Sequence, residues 1–276
     1  MKQMIRSLGV LLFALAVPAA AEPLAIHNGR LFVDARVNGV ETEALLDSAA
    51  EATLIDPEFA RRANISGGTA QTIRGSGGST SALIVEGVQI EVLGLDLRPE
   101  VVVVTDLSEL SKRLIKRPTN AVIGREFFDA ARVRIDIGGG SIVLASRDDP
   151  PPGRELPLTA HAGVEALPVV VGGQMAQAEF DLGNGSEVLI SRALADKLKL
   201  AVVGQKAGGG IGGEVRRDIV VIPLLEVAGT DFREVRAAVD DQPSANDLNL
   251  GTSILRHFLI TADFKDRRVW LEPRKG

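Results

Sequence analysis

Leu45-Leu46-Asp47-Ser48-Ala49-Ala50 and Glu179-Phe180-Asp181-Leu182-Gly183-Asn184 share one design, in which an apolar residue leads into an aspartate and small residues follow. The likeness spreads outward from both. Upstream, Val37-Asn38-Gly39 answers Val171-Gly172-Gly173, and each aspartate is followed at +7 and +8 by an apolar pair. Downstream, Gly75-Ser76-Gly77-Gly78 matches Gly210-Ile211-Gly212-Gly213 at an offset of 135 (210 − 75). At the same offset Ile90, Val92, Gly94, Asp96 and Leu97 meet Leu225, Val227, Gly229, Asp231 and Phe232. A third block runs at offset 127 (251 − 124), placing Gly124 on Gly251, Phe127-Phe128 on Ile254-Leu255, Val133 on Ile260, Asp136 on Asp263 and Leu144 on Leu271. An offset held over so long a stretch marks a duplicated unit. The drop from 135 to 127 falls on residues 107–117, where Leu107, Leu110, Leu114 and Ile115 have helical spacing. The second copy has only Gln242-Pro243-Ser244-Ala245-Asn246 there.

The duplication divides the chain into a first lobe over 22–146, a linker over 147–156 and a second lobe over 157–276. Arg147-Asp148-Asp149-Pro150-Pro151-Pro152-Gly153 opens the linker, because successive prolines continue neither helix nor ladder. Strand patterns dominate the first lobe at 31–37, 83–92, 101–104 and 132–137, with counterparts in the second. Short helices are expected at 57–63 and at 191–198, the latter capped by Ser191. The fold class is mainly β, in two similar lobes with a few short helices. The alternation Arg132-Val133-Arg134-Ile135-Asp136-Ile137 makes Asp136, and by the repeat Asp263, outward charges on a half-wet strand.

Composition excludes whole classes of chemistry. The 276 residues contain no Cys, so disulfides, thiol nucleophiles and thiolate metal sites are out. The three His residues have no metal-ligand spacing, and neither a metal nor a cofactor is expected. A formal charge of −5 with no basic tract speaks against a nucleic-acid partner. Lys2 and Arg6 before an apolar run, then Ala19-Ala20-Ala21, read as a secretory signal peptide over 1–21, cut after Ala21. The run is too short to span a bilayer, so the expectation is a secreted or periplasmic protein with no membrane anchor after cleavage. Gly208-Gly209-Gly210-Ile211-Gly212-Gly213 has the spacing of a dinucleotide loop, but a strand rather than a helix follows at 214–222.

The two aspartate loops, the glycine-rich hairpins and the later Val122-Ile123-Gly124 and Asn249-Leu250-Gly251 together resemble the aspartic proteases of the retropepsin and pepsin type. The resemblance covers 31–271 and implies two retropepsin-like β-barrel lobes related by a pseudo-twofold, with the active cleft between them. It implies Asp47 and Asp181 as the catalytic pair, with Ser48, Ala49, Leu182 and Gly183 as supporting loop residues. Gly75, Ser76, Gly77, Gly78, Gly210, Ile211, Gly212 and Gly213 become the flaps, and Ile123-Gly124 and Leu250-Gly251 the strands crossing behind the loops. It further implies an endopeptidase acting on a peptide or protein as a monomer. The family pattern is Asp-Thr/Ser-Gly, from which Ala49 and Leu182 depart. Leucine donates no hydrogen bond, so the alternative is a weak or silent relative that binds peptides without cutting them. A structural envelope protein with separated aspartates is a third reading.

Overall fold

Asn38 and Gly39 sit at φ 47° and 78°, the left-handed pair that a two-residue hairpin turn requires. They join Arg30–Val37 to Val40–Leu46, and Gly172-Gly173 (φ 55° and 76°) joins Val164–Val171 to Gln174–Phe180 in the same way. The computed structural model describes residues 21–161, 163–242 and 245–274, without the side chain of His161. The expected leader lies outside the described residues apart from Ala21. Among the described residues no helix is long and apolar enough to cross a membrane.

Each lobe is a mainly antiparallel sheet with two parallel pairings. Behind the first aspartate loop, Ala121–Ile123 runs parallel to Val40–Leu46, with Val122 opposite Leu45. Behind the second, Leu248–Leu250 runs parallel to Gln174–Phe180, with Asn249 opposite Glu179. The hairpin Thr69–Gly75 with Gly78–Val85 corresponds to Gly204–Gly210 with Gly213–Val227, at the offset read from the glycines.

A third sheet belongs to both halves. Val133–Asp136 pairs antiparallel with Phe258–Asp263, and Arg134 stands opposite Thr261, its own repeat at offset 127 (261 − 134). A twofold axis through that pair generates the whole register, so the duplication is pseudo-symmetric in space. The core is continuous across the seam, with Phe128 stacked on Phe264 at 5.2 Å and Phe180 edge-on to Phe264 at 6.2 Å.

Three expectations need correction. Residues 154–156, given to the linker, form most of the strand Arg154–Pro157 on the edge of the shared sheet, because Arg268–Pro273 offers unpaired backbone there. The single strand over 83–92 is two, Gly78–Val85 and Ile90–Val92, whereas its repeat is one strand of 15 residues. Asp263 is not an outward charge: it is 0 % exposed and held by Arg132 Nε at 2.9 Å and by Arg147 Nε at 3.0 Å. Burial raises its pKa, but the bonds from Arg147 and Arg132 outweigh this and leave the carboxyl below its ordinary value.

Candidate active site

The two aspartates end matched strands and are pinned alike. Asp47 N donates to Ile123 O, and Asp181 N donates to Leu250 O, both at 3.0 Å. Asp47 Oδ1 accepts from Ala49 N at 2.9 Å and Ala50 N at 3.1 Å. Asp181 Oδ1 accepts from Gly183 N and Asn184 N, both at 2.9 Å. These turns aim both carboxyls at the seam, where Asp47 and Asp181 come within hydrogen-bonding reach of each other. A Cβ on Gly183 would overlap the Asp47 carboxyl, so glycine is obligatory there. Ala49 stands at the related place with a real Cβ, so the two loops are not identical copies around the carboxyls.

Ser48 ties the halves together. Its Oγ donates to Phe180 O at 2.7 Å and accepts from Leu182 N at 2.9 Å, and the residue is 2 % exposed. Leu182 makes no return bond; its side chain is buried in the main core. One hydroxyl therefore joins the two aspartate loops where two are possible. Gly124 and Gly251 let the crossing strands press against the loops, since a Cβ on Gly251 would overlap Asn184 O and one on Gly124 would lie 2.9 Å from Ala50 O.

The two hairpin tips touch, backbone to backbone. Gly77 N donates to Ile211 O at 2.9 Å, and a Cβ on Gly77 or Gly212 would overlap the opposing strand. Ser76 O accepts from Arg217 Nη2 at 3.2 Å. The helix Leu110–Ile115, without a counterpart among the described residues of the second lobe, sends Arg113 across to the other lobe's flap: Nη1 to Gly208 O at 2.7 Å and Nη2 to Gly213 O at 2.9 Å. Ile211 at the tip of that flap packs on a small apolar cluster that includes Phe32, Leu45, Leu110 and Val122.

A model of the family described as aspartyl protease matches residues 33–127 and again 167–254, more than half of the chain. The chain belongs to the aspartyl protease family. Its two matches are the two copies of the repeat, and each contains one aspartate loop and one glycine-rich hairpin. No curated protein matches the chain.

In this aspartyl protease family member the environment of the pair is uneven. Burial, then the charge of Asp47, pushes the Asp181 carboxyl up to about 7. Burial also raises Asp47, opposed by the amides of Ala49 and Ala50 and by the nearby charge of Arg30. Sequence reasoning missed Asn249, whose Nδ2 donates to Asp181 Oδ2 and to Glu179 Oε2, both at 2.7 Å. Its signal lay in the repeat. The cross-strand pair Leu45–Val122 of the first lobe becomes Glu179–Asn249 in the second. The first-lobe pair is covered by the inserted segment, through Leu107 and, from its helix, Leu110 and Ile115. Among the described residues the second lobe has no such helix, and Asn246 Nδ2 bonds Glu179 Oε1 at 3.0 Å instead.

Arg30, Arg113 and Arg217 were also missed, since isolated arginines give no periodic signal. A surface hollow lined by residues such as Asp34, Arg36, Glu41 and Glu91 shares no residue with the aspartate loops or the flaps.

Proposed function

We propose that this protein is an aspartic endopeptidase that hydrolyses peptide bonds with a water held between Asp47 and Asp181. The observation that carries the reading is the meeting of these two carboxyls, one from each lobe, with Gly183 flush against Asp47. Two carboxyls in such contact do not both ionise, and the protease dyad is a standard worked case of this behaviour. The ionised member takes a proton from the water as its oxygen attacks the scissile carbonyl carbon, while the protonated member donates to the carbonyl oxygen. The tetrahedral diol then collapses: the C–N bond breaks and a proton passes to the leaving nitrogen. Asn249 orients Asp181, and the paired flaps hold an extended peptide and exclude bulk water.

A second reading, binding without cleavage, is favoured by Leu182, which removes one of the two possible hydroxyl ties. The readings separate in a random peptide library incubated across acidic to neutral pH. Cleavage by the wild type that is lost in Asp47→Asn and in Asp181→Asn, and blocked by a statine-type transition-state mimic, supports the protease. Wild-type cleavage no faster than that of Asp181→Asn overturns it. The chain acts as a monomer, because one copy carries both aspartates. The leader over 1–21 takes it out of the cytoplasm, and mass spectrometry of the mature protein tests this by finding Glu22 at its N-terminus.

A further inference from the structure

Three guanidinium groups stand by the aspartate loops and the flaps: Arg30 feels the carboxyl pair, and Arg113 and Arg217 bond the flap backbone. Arg30 is 5 % exposed, and its Nη1 donates only to main-chain oxygens, Asn28 O at 3.2 Å and Leu114 O at 3.3 Å. It feels the charges of Asp181 and Asp47 on one side and of Arg113 on another. Arg113 donates to two flap carbonyls, and its buried Nε has no partner. Arg217, also 5 % exposed, stands on the flap strand; its Nη2 reaches Ser76 O, and its buried Nε is likewise unpartnered. Among the described residues no carboxylate lies within 4.0 Å of Arg30 or Arg113, and Asp240 stands 3.9 Å from Arg217.

A buried guanidinium without a close counter-ion is costly, because carbonyl dipoles replace hydration only in part. Arg30 and Arg217 are buried in this way and Arg113 is half-buried, and the opposing charges near them are those of the aspartate pair and of Asp240. This excess sits in a protein whose formal charge is −5, so it is local to the cleft. Lys206, opposite Arg217 in the flap, is neutralised by Glu187 at 2.6 Å. The two unpartnered Nε atoms are donors already desolvated, on side chains that touch the flap backbone. An incoming carboxylate supplies the acceptor that main-chain carbonyls stand in for, with a charge-assisted bond in place of a neutral one.

We propose that the cleft selects acidic peptides, with Arg30, Arg113 and Arg217 receiving an aspartate or glutamate side chain close to the scissile bond. The proposal rests on the peptidase reading only for the bond that is cut; recognition of the carboxylate stands apart from it. A neutral glutamine in the same place leaves the cations uncompensated, which gives the discrimination its sign.

The test uses peptide pairs identical except for Glu against Gln near the cleaved bond, at low and at physiological salt. For the wild type the expected kcat/KM ratio is about tenfold or more in favour of Glu, as charge-assisted over neutral hydrogen bonding implies. Arg217→Gln and Arg30→Gln bring that ratio toward one. Should either variant fail to fold, the wild-type ratio alone decides. In parallel, Asp47→Asn, which has no dyad left to cut with, is titrated with the same fluorescent peptides, and tighter binding of the Glu peptide is expected. Equal cleavage and equal binding of both peptides overturn the acidic selectivity and leave the peptidase reading intact. Preferential binding of the Glu peptide with no cleavage by the wild type overturns the peptidase reading and keeps the selectivity. Binding of neither peptide removes both.

Discussion

Replacing Ser48 by alanine removes the one hydroxyl that bridges the two aspartate loops. The change deletes a single oxygen, yet both of its partners belong to fully buried residues of the other lobe, Phe180 and Leu182. An orphaned buried donor or acceptor costs about 1–3 kcal/mol, so losing both bonds costs roughly 2–6 kcal/mol. Against a typical total of about 5–15 kcal/mol, that is a large share. In a protein of this size each kcal/mol lowers Tm by roughly 2–4 °C, so a fall of about 4 °C or more is expected by calorimetry. Ser48→Thr keeps the hydroxyl and should recover most of the loss. Activity should fall further than stability, since a displacement of ~1 Å at the dyad costs on the order of 100-fold. A Tm for Ser48→Ala within about 1 °C of the wild type would refute the reasoning, because it would mean that the seam does not depend on this bridge.

Other consequences are equally direct. Gly183→Ala places a methyl group against the Asp47 carboxyl, and turnover of any peptide substrate should vanish while circular dichroism still reports a β fold. The Asp181 carboxyl, raised to about 7 from 3.8, binds its proton more tightly folded than unfolded. Stability should therefore be greatest below about pH 4 as far as this group is concerned, and decline as pH rises toward 7. Cleavage should disappear over the upper part of the same range as the shared proton leaves, and Asp181→Asn should flatten the stability slope in urea titrations at several pH values. Asp263→Asn strips the counter-charge from Arg132 and Arg147 and should cost about 3–5 kcal/mol in chemical denaturation. The lowered pKa of Asp263 gives its contribution the opposite sign: present at neutral pH, and lost as pH falls through the folded value.

Read alone, the amino-acid order determined the duplication, the mainly β class, the two aspartate loops and the glycine hairpins. Each is a local or periodic property: alternation sets strands, left-handed glycines set turns, and a constant offset reveals a copy. It even marked the inserted helix, through the eight-residue change of offset between the second and third blocks. What it left open depends on contacts between residues far apart in the chain. Asp136 and Asp263 occupy one position in the repeat, yet only Asp263 is enclosed, because Arg132 and Arg147 converge on it from the other half and the connecting segment. Asn249 looks like an ordinary strand residue until the parallel pairing sets it beside Glu179 and Asp181. The arginines lie up to 187 positions apart (217 − 30), and only the closing of one lobe's helix over the other lobe's flap gathers them. Periodicity reports which face of an element is apolar; which charges end up facing one another is settled by how the two copies dock, and that docking has no local signature.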